Sequence, residues 1–111
     1  MALKCKEIGV GFLGEIPAEK VLHYVQVAER SGFGSCWIAE DYFYRSAFST
    51  ASACARVTER IKLGIGVVNP YTRHPVMTAI ETATLDAFSK GRAVLGIGAS
   101  NKHWIQEQMG I

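Results

Sequence analysis

Three clusters of chemically capable side chains each follow a short apolar run. Glu40 and Asp41 come after Ser35–Ala39, and Asn69, Tyr71, Arg73 and His74 come after Ile61–Val68. Ser100, Asn101 and Lys102 come after Ala93–Ile97. Two adjacent carboxylates beside a reaction centre can give or take a proton. Arg73 can grip a phosphate or carboxylate with its planar fork, and His74 changes charge near neutral pH. Asn69 and the segment Gly98, Ala99, Ser100 offer amide, hydroxyl and backbone N–H groups to a bound ligand. Each group also has a plainer use. Glu40 or Asp41 can be a hydrogen-bonded loop acid or a helix N-cap; His74 precedes Pro75, where a cap is natural; residues 100–102 can be a solvated loop.

Positioning these clusters requires elements that place them side by side. The four apolar runs, three of them glycine-bearing, are Ile8–Leu13, Ser35–Ala39, Ile61–Val68 and Ala93–Ile97, so their starts are spaced by one strand plus one crossover helix. Between them the spacing is helical. The first such stretch starts at Pro17, suited to a first helical turn, and sets Val21, Leu22, Val25 and Ala28 on one face before Gly32 stops it. The second, about Ala47 to Val57, is rich in small residues, with Phe48, Ala51, Ala55 and Val57 as its core face. The third starts at Pro75, carries Val76, Met77, Ile80, Ala83, Leu85, Ala87 and Phe88, and ends at Ser89-Lys90-Gly91. Leu63-Gly64-Ile65-Gly66 and Leu95-Gly96-Ile97-Gly98 echo each other. Strands alternating with helices predict βαβ units and a parallel sheet, and near-continuous apolar runs suit strands covered on both faces. The reading is β-α-β-α-β-α-β with a short tail, in the α/β class.

Composition narrows the partners. The chain has 111 residues, 49% hydrophobic and 20% charged, within the range of one globular domain. Twelve basic residues against ten acidic give a net charge of +2, scattered rather than striped, so no nucleic-acid footprint is expected. No apolar run approaches the roughly 20 residues that span a bilayer, and the start lacks a signal-peptide core. Three cysteines, Cys5, Cys36 and Cys54, show no C-x-x-C spacing and imply neither a disulfide framework nor a zinc site. A cytoplasmic setting is expected. Cys36 and Cys54 read as small buried apolar residues, His23 as a packing or surface histidine, and His103 and Trp104 as tail residues.

Two α/β alternatives need weighing. Gly9-Val10-Gly11-Phe12-Leu13-Gly14 matches G-x-G-x-x-G, the fingerprint of a nicotinamide-binding Rossmann unit. That motif works only as a turn after a strand, and the preceding Lys4-Cys5-Lys6-Glu7 makes a poor strand, so these glycines belong inside the first strand. A flavodoxin-like fold needs a fifth strand, which does not follow the fourth. Glycines inside strands suit the first half of a (β/α) barrel, where they mark bends or a close ligand approach. A closed barrel needs roughly 200 residues or more, so 111 can supply only part of one.

The segments 63–75 (LGIGVVNPYTRHP) and 83–92 (ATLDAFSKGR) are specific, as are 37–42 (WIAEDY), 95–98 (LGIG) and the terminal MGI. Together they resemble the luciferase-like flavin-dependent oxidoreductases, most closely the deazaflavin-dependent methylenetetrahydromethanopterin reductase branch. The resemblance implies the N-terminal half of a (β/α)8 TIM-type barrel, with about four parallel strands and three helices. Residues 1–111 would form a single incomplete barrel domain, truncated or a half-barrel. It also implies FMN or coenzyme F420 as cofactor, and hydride transfer or monooxygenation of a small organic substrate. In that family the third strand bulges at a non-proline cis peptide beneath the ring, which by alignment is Gly66–Val67. Gly66, Val67, Val68 and Asn69, with Gly98, Ala99 and Ser100, are then the expected cofactor-binding residues. Glu40, Asp41 and His74 are the expected catalytic ones. Gly11 and Asn101 stand where the methanopterin reductases carry acidic residues. An open four-stranded sheet leaves two bare edges, so self-association into a homo-oligomer is expected. A catalytically silent half-barrel that holds flavin or serves assembly is the other reading.

Overall fold

In the computed structural model of the chain, residues 5–111 are described; Met1–Lys4, part of the N-terminal segment read above, lie outside them. A 3₁₀ turn (Cys5–Glu7) precedes β1 (Gly9–Phe12), α1 (Ala18–Arg30), β2 (Ser35–Ile38), α2 (Ala47–Val57), β3 (Lys62–Val68), α3 (Pro75–Ser89) and β4 (Ala93–Ile97). The strands form one parallel sheet in the order β1-β2-β3-β4. That order has no switch point. A Rossmann sheet has one, and Gly9 and Gly11 sit within β1 rather than in a turn after it. The nicotinamide-binding alternative is thereby set aside.

All three helices pack on one face of the sheet. Val10 and Phe12 of β1, Cys36 and Ile38 of β2, and Leu63 and Ile65 of β3 point into a single core with Val21 and Val25 of α1, Phe48, Ala51 and Cys54 of α2, and Leu85 of α3. Side chains alternate along a strand, so the opposite face carries Gly9, Gly11, Trp37, Gly64 and Val94. Helices on one side only, over strands in sequence order, is the arrangement of half a TIM barrel: the helix layer is the outside and the glycine-lined face the inside. Full burial of a residue such as Ile38 or Leu63 contributes about 1.5–3 kcal/mol, and the core contains several.

Local chemistry sets the boundaries. Pro17 leads α1, and Gly32, at φ 89°, ends it while Phe33 N–H reaches back to Ala28 O at 3.1 Å. Ser46 Oγ accepts from Ser49 N–H at 3.3 Å to cap α2. His74 caps α3, with Pro75 next. At the far end of α3 both Lys90 (φ 55°) and Gly91 (φ 85°) adopt the left-handed conformation.

Three features differ from the sequence reading. Val57 is exposed, because it is the last residue of α2 and has turned off the core face that Phe48, Ala51 and Ala55 occupy. On α3 the apolar residues do not all face the sheet: Leu85 and Ser89 are buried, whereas Val76, Met77, Ile80 and Phe88 are at least half exposed. The tail forms a π-helical segment, His103–Gln108, in which Met109 N–H donates to Trp104 O at 3.1 Å. Among the described residues no helix is long and apolar enough to cross a membrane, and no cluster of His, Cys, Asp or Glu could hold a metal ion.

Candidate functional site

The parallel sheet delivers all three clusters to one end, the C-terminal ends of the strands, where barrel enzymes keep their chemistry. At its centre β3 breaks register. Ile65 pairs with Leu95 but Val68 pairs with Ile97, so residues 66 and 67 form a bulge, and the Gly66–Val67 peptide is cis as the resemblance implies. Val67 is 42% exposed. A methyl group placed on Gly98 would stand 2.8 Å from Val67 Cγ2, and one on Gly96 would stand 2.5 Å from Ile65 O. Glycine at 96, in β4, and at 98, just beyond it, therefore makes room for the bulge, and the half-exposed Val67 lies over both as a small apolar shelf.

The flanking residues hold this shelf. Val68 belongs to the core by its side chain, and its carbonyl accepts from Gly98 N–H at 2.9 Å, so it shapes the site through its backbone. Asn69 is buried, with its amide fully engaged. Oδ1 accepts from Tyr71 N–H at 2.8 Å and Thr72 N–H at 3.0 Å; Nδ2 donates to Thr72 Oγ1 at 3.0 Å and to the Tyr42 hydroxyl. Tyr42 meets Trp104 edge to face at 5.4 Å between ring centres. Trp104 N–H in turn donates to Asn101 Oδ1 at 2.9 Å. Ser100 adopts φ 61°, a conformation few residues other than glycine accept. A cavity of about 370 Å³ opens here, lined by Tyr71, Ala99, Ser100, Asn101, Lys102 and Ile105 among others.

The carboxylates are engaged as well. Glu40 Oε1 accepts from Ala47 N–H at 3.0 Å, at the start of α2, and Oε2 pairs with Arg73, 2.6 Å from Nη2 and 2.8 Å from Nε. Arg73 also binds Glu81 and lies 5.0 Å from the centre of the Phe48 ring. Asp41 Oδ2 accepts from Gly14 N–H at 2.6 Å, and Arg45 donates to Gly14 O and to Leu13 O (3.1 Å). Together they clasp the β1–α1 loop to the β2–α2 loop. A smaller cavity of about 250 Å³ lies between Glu40, Asp41, Tyr42, Arg45, Thr72 and Arg73. His74 Nδ1 accepts from Val76 N–H at 3.2 Å, so Nε2 is the ring nitrogen left toward solvent.

The structure thus brings Gly66, Val67, Asn69, Gly98, Ala99 and Ser100 together at one shelf, and gathers Glu40, Asp41 and Arg73 at the neighbouring cavity. His74 stands apart, at the head of α3. Sequence reasoning missed Arg45 and the docking of Trp104 on Tyr42. Nothing local marks either, since each partner lies tens of residues away in the chain.

Comparison with known proteins agrees with this geometry. The profile of a family described as luciferase-like monooxygenase matches residues 7–111. A 5,10-methylenetetrahydromethanopterin reductase of Methanopyrus kandleri is 43% identical over 94 residues, which is 85% of this chain and 27% of that protein. The solved coenzyme F420-dependent tetrahydromethanopterin reductase of the same organism superposes with a TM-score of 0.88 at 40% identity, covering 94% of this chain and 30% of its own. The oxygenating constituent of 3,6-diketocamphane monooxygenase from a Pseudomonas putida plasmid, solved with FMN, superposes with a TM-score of 0.72. At 22% identity it is a likeness of fold alone, covering 94% of this chain and 33% of that one. The chain therefore spans less than a third of the first two relatives' length.

Proposed function

The chain belongs to the luciferase-like monooxygenase family, and from that premise we propose that it carries the ring-binding half of a flavin- or deazaflavin-dependent oxidoreductase. The observation that carries this reading is the β3 bulge. An apolar shelf between β3 and β4, topped by the half-exposed Val67, suits the face of a flat tricyclic ring, and a side chain on Gly96 or Gly98 would push Val67 out of place. The ring is that of FMN or of coenzyme F420. When bound, either cofactor would supply hydride transfer to or from a small organic substrate, and FMN would also allow reaction with oxygen.

The chain's own groups would divide the remaining work. Gly66, Val67 and the Val68 backbone would support the ring from below, with Asn69 fixing the loop beyond. Gly98, Ala99 and Ser100 would line its edge with N–H groups and a hydroxyl. Asp41 is the group able to move a proton near a substrate, while His74, expected as catalytic, lies apart and caps α3. Glu40, tied to Arg73 and the α2 N-terminus, would act first by orienting that wall of the site. Binding and orientation of this kind place reacting atoms before any proton moves.

The test is direct. FMN and F420 are titrated separately into the protein, and the visible absorption band and cofactor fluorescence are followed. A shifted band or quenched emission with one of them supports the reading and chooses the cofactor. Failure of both to bind refutes it.

A second reading concerns assembly. Among the described residues β1 and β4 are unpaired on their outer sides, and α3 exposes Val76, Met77, Ile80 and Phe88. Such surfaces are covered in a complete barrel, by further βα units or by a second copy of the half-barrel. We therefore propose self-association of this chain, in a cytoplasmic setting. Light scattering behind size-exclusion chromatography should show a species heavier than 12.1 kDa; a clean monomer at high concentration removes this reading. Retained flavin without turnover in such a dimer would favour a silent holding module over an enzyme.

A further inference from the structure

Trp37 carries an inference that rests on the flavin-shelf reading and deepens it. In the parallel register Trp37 lies between Gly11 of β1 and Gly64 of β3, and Gly64 lies beside Val94 of β4. Residues paired this way share a face, and Cys36 and Ile38 of the same strand fill the helix side. The indole is therefore on the inner face. It lies on glycine. A methyl group on Gly64 would stand 2.4 Å from Trp37 Cε3; one on Gly66 would stand 3.2 Å from the same atom; one on Gly9 would stand 3.2 Å from Cδ1 and Nε1. The indole N–H donates to Ser35 Oγ at 3.1 Å, which fixes the tilt of the ring.

We propose that Trp37 is the positioning residue of the flavin shelf. Its indole fills the inner face directly below the bulge and sets the height of the Gly66 backbone, on which Val67 and hence the ring rest. The physical reason is the contact itself. Gly64 and Gly66 bring no side chain to the inner face, and the atoms nearest to each on that side belong to the Trp37 ring and its Cβ. An aromatic ring of this size is rigid and covers a large area, whereas a smaller side chain would leave a hollow into which the bulge could sink.

Three variants test this: Trp37→Leu, Trp37→Phe and Gly64→Ala, the last of which must lift the indole without removing it. Each is titrated with FMN and with F420, alongside far-UV circular dichroism and a urea transition. Trp37→Leu should keep its secondary structure, weaken binding by about tenfold and shift the visible band of the bound ring, because a small misplacement of a bound group is felt strongly. Trp37→Phe should fall between it and the unaltered protein, and Gly64→Ala should resemble Trp37→Leu. A band shift reports the ring's surroundings, which a general loss of stability does not move. Unaltered affinity and spectrum in Trp37→Leu overturn the role of Trp37 while leaving the flavin reading standing. If Trp37→Leu does not fold, Trp37→Phe and Gly64→Ala decide, and unaltered binding in both overturns it. If the unaltered protein binds neither cofactor, the flavin reading itself has failed and this inference falls with it.

Discussion

Arg92→Met removes five hydrogen-bond donors from the end of the sheet opposite the shelf. Nη1 of Arg92 donates to Thr58 Oγ1 and Ile61 O, both at 2.9 Å, and Nη2 to Ala55 O and Thr58 O, both at 3.0 Å. Nε donates to Ser89 O at 2.7 Å. One side chain thus ties the end of α2, the entrance to β3 and the end of α3. Methionine keeps the apolar stem but leaves those acceptors behind. Bonds from a charged donor contribute about 1.5–3 kcal/mol each, and a buried acceptor left unpaired costs about 1–3 kcal/mol. Arg92 is only half buried, so water can replace part of the loss, and a discounted total of about 3 kcal/mol is reasonable. With a urea dependence of about 1.5 kcal/mol per molar, the midpoint should fall by about 2 M. Arg92→Lys keeps the charge but not the fork, and should recover less than half of the loss. Cofactor affinity without urea should stay within about twofold, since conserving this end of a barrel serves stability and the other end function. The measurement is a urea transition for each variant beside an FMN and F420 titration. A midpoint within about 0.3 M of the unaltered protein's, or a lysine variant as stable as arginine, would refute the reasoning.

Further tests address other parts of the fold. Glu29 accepts from the N–H groups of Glu59, Arg60 and Ile61 at 2.7–3.1 Å. Burial alone would raise its carboxyl, but those hydrogen bonds and the Arg60 charge outweigh burial and hold it below the ordinary 4.5. Its contribution is therefore complete above that pH and drains away as the pH falls through the lowered folded value. Unaltered protein should lose stability relative to Glu29→Gln over that range in acid urea transitions, and parallel curves would count against the assignment. Burial pushes the Cys36 thiol up to about 12, with a further rise from Cys54, and the Cys54 thiol up to about 11. Alkylation at pH 8 followed by peptide mass mapping should therefore find both unmodified until the protein is unfolded. Gly96→Ala should be destabilised by about 2 kcal/mol, because its methyl would meet backbone oxygen, and should lose cofactor binding; a thermal melt like the unaltered protein's would contradict the packing. Glu40→Gln should weaken the Arg73 pairing and the start of α2, lowering stability by about 1–2 kcal/mol. A kcat loss at unaltered stability would instead give Glu40 a direct part in proton transfer.

Most of the architecture could be read from periodicity. The four apolar runs became four strands within a residue or two at each end, and Pro17, Pro75, Gly32 and Gly91 stand at helix ends because fixed φ and positive φ are local properties. The glycines at 9 and 11 were correctly placed inside β1, since the charged segment before them could not be a buried strand. The outward face of α3 was not legible. Val76, Met77, Ile80 and Phe88 look like core residues by type, and only the sheet's extent decides which of them find a partner. At the site, the bulge and its glycines were visible through the family motif, but the occupation of Glu40 by Arg73 and of Asn69 by Tyr42 was not. Those contacts join residues 33 and 27 positions apart, and side-chain spacing carries no signal over such distances. The π-helical tail was missed for a related reason: Trp104 docks on Tyr42, a tertiary contact, rather than following an intrinsic helical pattern.

Among the described residues each strand hydrogen-bonds only to its immediate predecessor and successor in the chain. A polypeptide emerging from the ribosome can therefore lay each βα unit onto the one already formed, without waiting for a distant segment to arrive. Low sequence separation between contacts favours rapid folding, and N-terminal portions ordinarily fold first during synthesis. The cost of this vectorial growth is a sticky leading edge: at every stage the newest strand displays an unsatisfied row of amides and carbonyls until a further strand or a partner covers it.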